Sequence, residues 1–417
     1  MAGQALALLS ILLLCTLGRA QKDNGGSCDC FKTNGSTGAY FSYHRFFDYR
    51  NVPYSLTSNP KVLTSASDSS NAPNTSAFFS RTSWTADWAA ATWDNSDSIN
   101  TPNSDATVFM INSPNNVYIE SSIDENPAYN TYLTLRTVRT ADFQSAAEID
   151  TTALNYHYLS ARYLARTVGD AGGCGGIFTW RCPSGSCSAS SSDVEEADIE
   201  ILTAGPQTKI QLTNQPSESA SGHSVPEATI NATLPNDLEW SAWNEYRYDW
   251  LPNLSTWYVN GVSVGSISFQ APKNPAGLIL NMWSNGGSWT GNMSVGDSSY
   301  LQIQWIEIAY NTSGPVKGSK MVRDGLKLLG RVAEPVTSQV SEQRSPHGDF
   351  HPSASRPHDR GWLLSRGSGC RVVCSVDTNV TSTGTPVEVS MAGRGKEWQA
   401  TRPLIVVSVL LGFWFMS

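Results

Sequence analysis

Residues 255–264, STWYVNGVSV, alternate in a way that only an extended chain can use. Successive side chains on a strand point to opposite faces. Trp257, Val259 and Gly261 therefore share one face, and Tyr258, Asn260 and Val262 share the other. The Asn260-Gly261 pair is a hairpin signal, because a tight two-residue turn needs positive φ at both central positions. Between Phe41 and Asn311 the same texture recurs in ATVFMIN, NVYIESS, TYLTLRTV, HYLSARYLART, GGIFTW, ADIEIL, YRYDW, GLILNMW and LQIQWIEIAY. Gly, Pro, Asn and Ser separate these runs, and no long helical periodicity interrupts them. Many short strands with turn chemistry between them predict an all-β sandwich or barrel. Such folds run past 200 residues as one unit, so 417 residues accommodate one large domain with tails.

The tails read differently. MAGQALALLSILLLCTLGRA has an apolar run from Ala5 to Leu17 followed by small residues, the pattern of a signal peptide over 1–20. The run is short for a membrane span. Seven N-x-S/T sequons, at Asn34, Asn74, Asn231, Asn253, Asn292, Asn311 and Asn379, fit a secreted glycoprotein. Seven cysteines follow the signal segment: Cys28, Cys30, Cys174, Cys182, Cys187, Cys370 and Cys374. They suit a few disulfides with one cysteine left over, in unknown connectivity. A zinc site is the competing reading, and neither a paired CxxC motif nor a nearby His supports it. Residues 55–105 read as long surface loops anchored by Trp84, Trp88 and Trp93. Residues 313–390 read as a low-order linker or stalk, because 317–366 carry nine of the 28 Lys and Arg without alternating strands. That basic stretch matches neither flank, and the sequence does not decide whether it is a genuine coding segment. Small residues Ser390, Ala392 and Gly393, a polar spacer and an apolar tail from Leu404 to Met416 form the pattern of a GPI-anchor signal over 391–417. The expected location is the outer face of a membrane or a cell wall. A net charge of −8, with 15% charged residues, provides no basic footprint for nucleic acid.

The segment DVEEADIEIL, residues 193–202, is a buried-strand pattern that carries acids. On a strand Glu196, Asp198 and Glu200 share one face, while Ala197, Ile199 and Ile201 point into an apolar layer. Buried carboxylates are costly unless they are compensated or used. Paired carboxylates do the work of glycoside hydrolysis, and the retaining mechanism needs them about 5–5.5 Å apart. Alpha carbons four positions apart on a strand are separated by about 13 Å, so curvature and leaning side chains must close the gap. A solvated acidic face and an oxygen-ligated calcium site are the alternatives for the same alternation.

Here the chain resembles glycoside hydrolase family 16, of the fungal secreted type. The family comprises concanavalin A-like β-jelly-roll enzymes such as lichenases, laminarinases, xyloglucan transglycosylases and cell-wall chitin-glucan transglycosylases. Its E-x-D-x-E signature stands as Glu196-Ala197-Asp198-Ile199-Glu200, without the extra residue that bulges the strand in one branch. HYLSARYLART followed by GGIFTW is similar to the strands before the signature. YRYDWLPNLSTWYVNGV resembles the family's hairpin, with Asn260 where an Asp is usual, and GLILNMWSNGGSWTG resembles the segment that supplies a substrate tryptophan. The likeness spans roughly 40–312.

The resemblance implies Glu196 as nucleophile, Asp198 as the helper hydrogen-bonded to it, and Glu200 as general acid/base. It also implies a substrate cleft to which Trp180, Trp283 and Trp289 belong, where aromatic rings stack on sugar faces. Gln215 is a further candidate contact to a sugar hydroxyl, with a loop hydrogen bond as the alternative. The implied activity is a retaining hydrolase or transglycosylase on β-glucan of a cell wall or extracellular matrix. A catalytically inactive, lectin-like module on the same sandwich is the rival. No cofactor or metal is expected, and a monomer is.

Overall fold

In the computed structural model, the alternation read along the sequence becomes two packed, mainly antiparallel sheets, a β-jelly-roll sandwich. The structure describes residues 22–23, 28–34, 38–99, 101, 104–183, 193–219, 223–313, 370–377 and 384–389. The expected signal peptide, most of the expected stalk, the anchor signal, Cys187 and the Asn379 sequon lie outside them.

In chain order the first strands are β1 (Lys22–Asp23), β2 (Cys30–Lys32), β3 (Tyr40–Phe41) and β4 (Tyr43–Asp48). After the loop region come β5 (Trp88–Ala90), β6 (Met110–Asn112), β7 (Val117–Ser121), β8 (Thr131–Arg139) and β9 (Gln144–Thr151). The middle of the chain forms β10 (Tyr156–Gly169), β11 (Cys174–Arg181), β12 (Glu195–Leu202), β13 (Lys209–Gln215) and β14 (Thr229–Thr233). Then follow β15 (Asn244–Leu251), β16 (Leu254–Val259), β17 (Val262–Ile267), β18 (Gly277–Trp283) and β19 (Ser298–Thr312). Two short strands, β20 (Val373–Ser375) and β21 (Val387–Glu388), come last.

One sheet runs β5-β9-β18-β11-β12-β13-β14. The other centres on β19 and β10, with β15, β16 and β17 beyond β10, and with β8, β7, β4 and β1 beyond β19. Strand β9 also touches β8 and β6, and so links the two layers. The Asn260-Gly261 turn joins β16 to β17 with φ of 46° and 78°, as its residues predict.

The core lies between the layers. From β12, Ala197, Ile199 and Ile201 are buried, and they share one apolar cluster with Leu280 and Met282 of β18 and with Tyr163, Tyr246, Tyr248, Trp250 and Trp257 of the opposing sheet. Each fully buried large apolar side chain contributes roughly 1.5–3 kcal/mol. Trp84 and Trp88 anchor the 55–105 region in this cluster, as expected. Trp93 does not: it is 42% exposed.

The stalk expectation needs correction over 370–377 and 384–389. Strand β20 pairs in parallel with β2 and antiparallel with β21, while β2 also pairs with β3, so the two ends of the chain share a four-stranded sheet. Disulfides Cys28–Cys374 and Cys30–Cys370 staple them across 346 and 340 residues. Beyond the staples, Asp377 accepts from Arg162 Nη2 at 2.6 Å and from Arg247 Nη1 at 3.1 Å. Arg162 also reaches Glu307 at 3.5 Å, Glu307 meets His44 Nε2 at 2.8 Å, and Arg247 holds Asp249 at 2.6 Å. A charged network thus lies on the outer face of the β10–β19 sheet, under the C-terminal segment. Its physical basis was invisible locally, because both arginines that Asp377 meets are more than a hundred residues away.

Removing one partner from a buried ion network leaves the others uncompensated, at about 3–5 kcal/mol. Asp377→Ala is expected to lose stability of that order in urea-induced unfolding, and Asp377→Asn distinctly less. An Ala variant within 0.5 kcal/mol of the parent, roughly the scatter of surface substitutions, would show the clasp to be passive.

Candidate active site

Directly paired residues of antiparallel strands project to the same face. The register therefore builds the site in rows across the sheet, on the face turned away from the core. Glu196 pairs with Trp180 of β11 and Gln215 of β13; Asp198 pairs with Phe178 and Thr213; Glu200 pairs with Gly176 and Gln211. Gly176 in turn pairs with Asn281 of β18, and Asn281 with Glu148 of β9. The three acids share one face, as their spacing predicts. Gly176 keeps the sheet surface open between Glu200 and Asn281: a Cβ there would stand 2.4 Å from Asn281 Oδ1.

The acids are partly closed over. Glu196 is 8% exposed and Asp198 3%. A hydrogen bond joins the Asp198 and Glu196 carboxyls, and Gln215 Nε2 donates to Asp198 Oδ2 at 3.4 Å. Glu200 has different company: Trp289 Nε1 donates to its Oε1 at 3.2 Å, and the Cys174 thiol lies 3.5 Å from the same oxygen. Glu196 Oε2, Asp198 Oδ1 and Asn281 Oδ1 are buried without a hydrogen-bond partner, so the acid face holds unspent acceptors.

Burial dominates the electrostatics and pushes all three carboxyls above the usual range. For Glu196, the hydrogen bond from Asp198 opposes burial, while the charges of Glu200 and Glu148 reinforce it. Asp198 is raised well above its ordinary value by burial and then by the charges of Glu196 and Glu200. The hydrogen bond that Asp198 and Glu196 share raises Asp198 and lowers Glu196, so it favours the proton on Asp198. Glu200 is raised by burial and drawn back by its two donors.

Each sequence-derived candidate has a definite place. Trp180 and Trp283 lie half-buried in β11 and at the end of β18, on the acid-bearing face. Trp289 is 39% exposed on the loop after β18. That loop is held by Asp105, whose Oδ2 accepts from the Ser288 N–H at 2.6 Å, the Ser288 hydroxyl at 2.8 Å and the Trp289 N–H at 3.3 Å. Gln215 has both ends of its amide engaged by protein, since its Oε1 also accepts from Ser217 N–H at 2.7 Å. Local reading missed Glu148 and Asn281, and took Trp93 for a loop anchor. The indole of Trp93 donates to Glu148 Oε1, and Asn281 Nδ2 donates to Glu148 Oε2 at 3.4 Å. Alternation in SAAEIDT does place Glu148 and Asp150 opposite Ala147 and Ile149, but only the strand register reveals that they face the acid trio. Among the described residues no group of three His, Cys, Asp or Glu side chains is arranged to hold a metal ion.

Raised carboxyl pKa values mean that the folded state binds these protons more tightly than the unfolded chain. The acids therefore favour folding most below the ordinary carboxylate range, and that contribution is lost as pH rises through the raised values. Each unit of upward shift is worth about 1.4 kcal/mol. Asp198→Asn, which removes one such group and keeps a donor to Glu196, is expected to gain stability over the parent as pH goes from 5 to 8. The gain is about 1.4 kcal/mol or more, roughly 2–4 °C in Tm per kcal/mol. Parallel Tm-against-pH curves would contradict the electrostatic reading.

No protein-family model matches the chain. Among curated proteins it is similar to a β-glucanase of Paenibacillus polymyxa, 28% identical over 159 residues, which are 38% of this chain and 61% of that one. A β-glucanase of Bacillus amyloliquefaciens is 30% identical over 114 residues, 27% of this chain and 44% of the relative. The chain thus spans about three fifths or less of the length of these relatives. Among solved structures, a β-1,3-1,4-glucanase (lichenase) from a mouse hindgut metagenome covers 65% of this chain and 99% of itself, at 16% identity and a TM-score of 0.41. The Bacillus licheniformis β-glucanase covers 55% and 93%, at 20% identity and a TM-score of 0.40. Over part of its length the chain is thus similar in sequence to β-glucanases, and its β12 carries the E-x-D-x-E spacing.

Proposed function

We propose that the chain is a retaining glycoside hydrolase or transglycosylase that acts on β-glucan. The observation that carries this reading is the inequality of three acids on one face of β12. Asp198 is shared between Glu196 and the Gln215 amide, while Glu200 is engaged separately by Cys174 and Trp289. Environments that separate neighbouring carboxyls are what acid/base assignments require. The names of the similar proteins, β-glucanases, support the substrate class.

In the reaction, an ionised Glu196 oxygen bonds to the anomeric carbon as the bond to the glycosidic oxygen breaks, and the Glu200 proton passes to that departing oxygen. Glu200, now a carboxylate, takes a proton from water or from a sugar hydroxyl. The oxygen so activated bonds to the anomeric carbon and releases Glu196. Asp198 holds Glu196 in place and lowers the cost of its charge while it is ionised. Trp289, Trp283 and Trp180 supply ring faces to the sugar units. The leader pattern, the sequons and the tail pattern of the sequence support a secreted, glycosylated, GPI-anchored protein at the cell surface or wall.

Glu196→Gln and Glu200→Gln, assayed separately on laminarin, lichenan and chitin oligosaccharides, are expected to lose about 10²–10⁴-fold in kcat. Saturable binding should persist in both. Wild-type protein that binds glucan without turnover would instead identify a lectin-like module. Mass spectrometry of products from one defined oligosaccharide separates transfer, which yields longer chains, from hydrolysis, which yields shorter ones. Release of surface-bound protein by a phosphatidylinositol-specific phospholipase tests the anchor, and retention would refute it.

A further inference from the structure

Among the described residues Cys28, Cys30, Cys182, Cys370 and Cys374 are disulfide-bonded, and Cys174 is a buried free thiol. It stands on β11, paired with Trp283 on one side and Leu202 on the other, so its side chain belongs to the same face as Glu200. The backbone around it is fixed: Gly173 N–H donates to Thr203 Oγ1 at 2.8 Å, and Thr203 N–H returns a bond to Gly173 O at 2.9 Å. The thiol reaches Glu200 Oε1, the oxygen that also accepts from the Trp289 indole. Neither donor touches Oε2.

We propose that Cys174 is a positioning residue for Glu200: its S–H and the Trp289 N–H engage Oε1 together, which fixes the carboxyl plane and leaves Oε2 to carry the proton exchanged with substrate. The inference rests on the acid/base reading of Glu200. A carboxyl group turns about a soft terminal torsion, and one donor anchors it less well than two from different elements. Cys174 comes from the rigid sheet, whereas Trp289 comes from a loop.

The thiol acts as a donor and not as a nucleophile. Burial, followed by the charges of Glu200 and Asp198, raises it well above the usual thiol range, so it stays protonated. Its complete burial also distinguishes it from a cysteine exposed to oxidants. The titratable groups around Glu200 are Asp198 and Glu196 on its own strand and Cys174 on β11. Glu148 lies farther across the face on β9 and acts on Glu196, while Asp105 stands behind the Trp289 loop. The paired strands β13 and β18 present the neutral Gln211 and Asn281 in the Glu200 row.

A donor to a carboxylate favours its ionised form, so loss of the thiol raises the Glu200 pKa further. In the full chain, Cys174→Ala is expected to move the alkaline limb of kcat/KM upward by roughly half to one pH unit. It should also lower kcat about three- to tenfold, with KM nearly unchanged. Cys174→Ser, which keeps a donor, should restore the profile. Independently of any glucan, the infrared S–H stretching band that vanishes in Cys174→Ala should shift to higher frequency in Glu200→Gln, where the acceptor is weaker. An Ala variant with the parent's pH profile and kcat overturns the proposal, and so does an S–H band unmoved by Glu200→Gln. Should the chain turn over no glucan at all, the infrared measurement still decides the contact, so that outcome counts against the enzymatic reading alone.

Discussion

The two-residue repeat of β12 is the constraint on which the molecule depends. One strand must give Ala197, Ile199 and Ile201 to the core while presenting three acids on its other side. Either demand alone is ordinary. Together they fix the register, since a slip of one residue would drive Glu196, Asp198 and Glu200 into the apolar layer. Strands β11 and β13 lock that register from both sides, and the core residues on them, Ile177 and Leu212, resist the same slip. The unfavourable burial of the acids is therefore carried by the packing on the reverse of their own strand.

The two outer faces of the sandwich meet the polar-burial problem in opposite ways. On the β10–β19 sheet, Arg162, Arg247, Glu307 and His44 are paired with one another and closed over by Asp377 from the far end of the chain. Opposite charges there offset each other, and two disulfides hold the cover in place. On the β11–β12 face, Glu148, Asp150, Glu196, Asp198 and Glu200 all have the same sign, and their compensation comes from shared protons and neutral donors. The first arrangement pairs its charges, with His44 Nδ1 left as a buried atom without a partner. The second keeps acceptors unpaired and pKa values raised, the condition in which a group can trade a proton with a ligand.

What was legible in the sequence is what a period of two can express. Alternation exposed the strands, the Asn260-Gly261 turn and the common face of the acid trio, because each follows from residues a few positions apart. Relations set by register between distant strands were not legible. Cys174 and Glu200 are 26 residues apart, Glu148 and Asn281 133 apart, and Arg162 and Asp377 215 apart. Trp93 read as a loop anchor like Trp84 and Trp88, since all three sit in the same polar composition. What separates them is the Glu148 acceptor that Trp93 finds and its neighbours do not. The strands at 370–377 and 384–389 escaped notice because two or three residues of pairing have no periodicity to see; cysteines whose partners were unknown held the only clue.

Chemical inequality among the acids therefore follows from which element brings each partner, and not from the acids' own order in the chain. Asp198 is tied to Glu196 within its strand and to Gln215 of the adjoining one. Glu196 meets Asp198 and leaves Oε2 unpaired. Glu200 takes one partner from the neighbouring strand and one from a loop that Asp105 pins by three hydrogen bonds. Exposure rises from Asp198 to Glu200, and the acid with donors from two separate elements is the one placed where a proton has to leave and return.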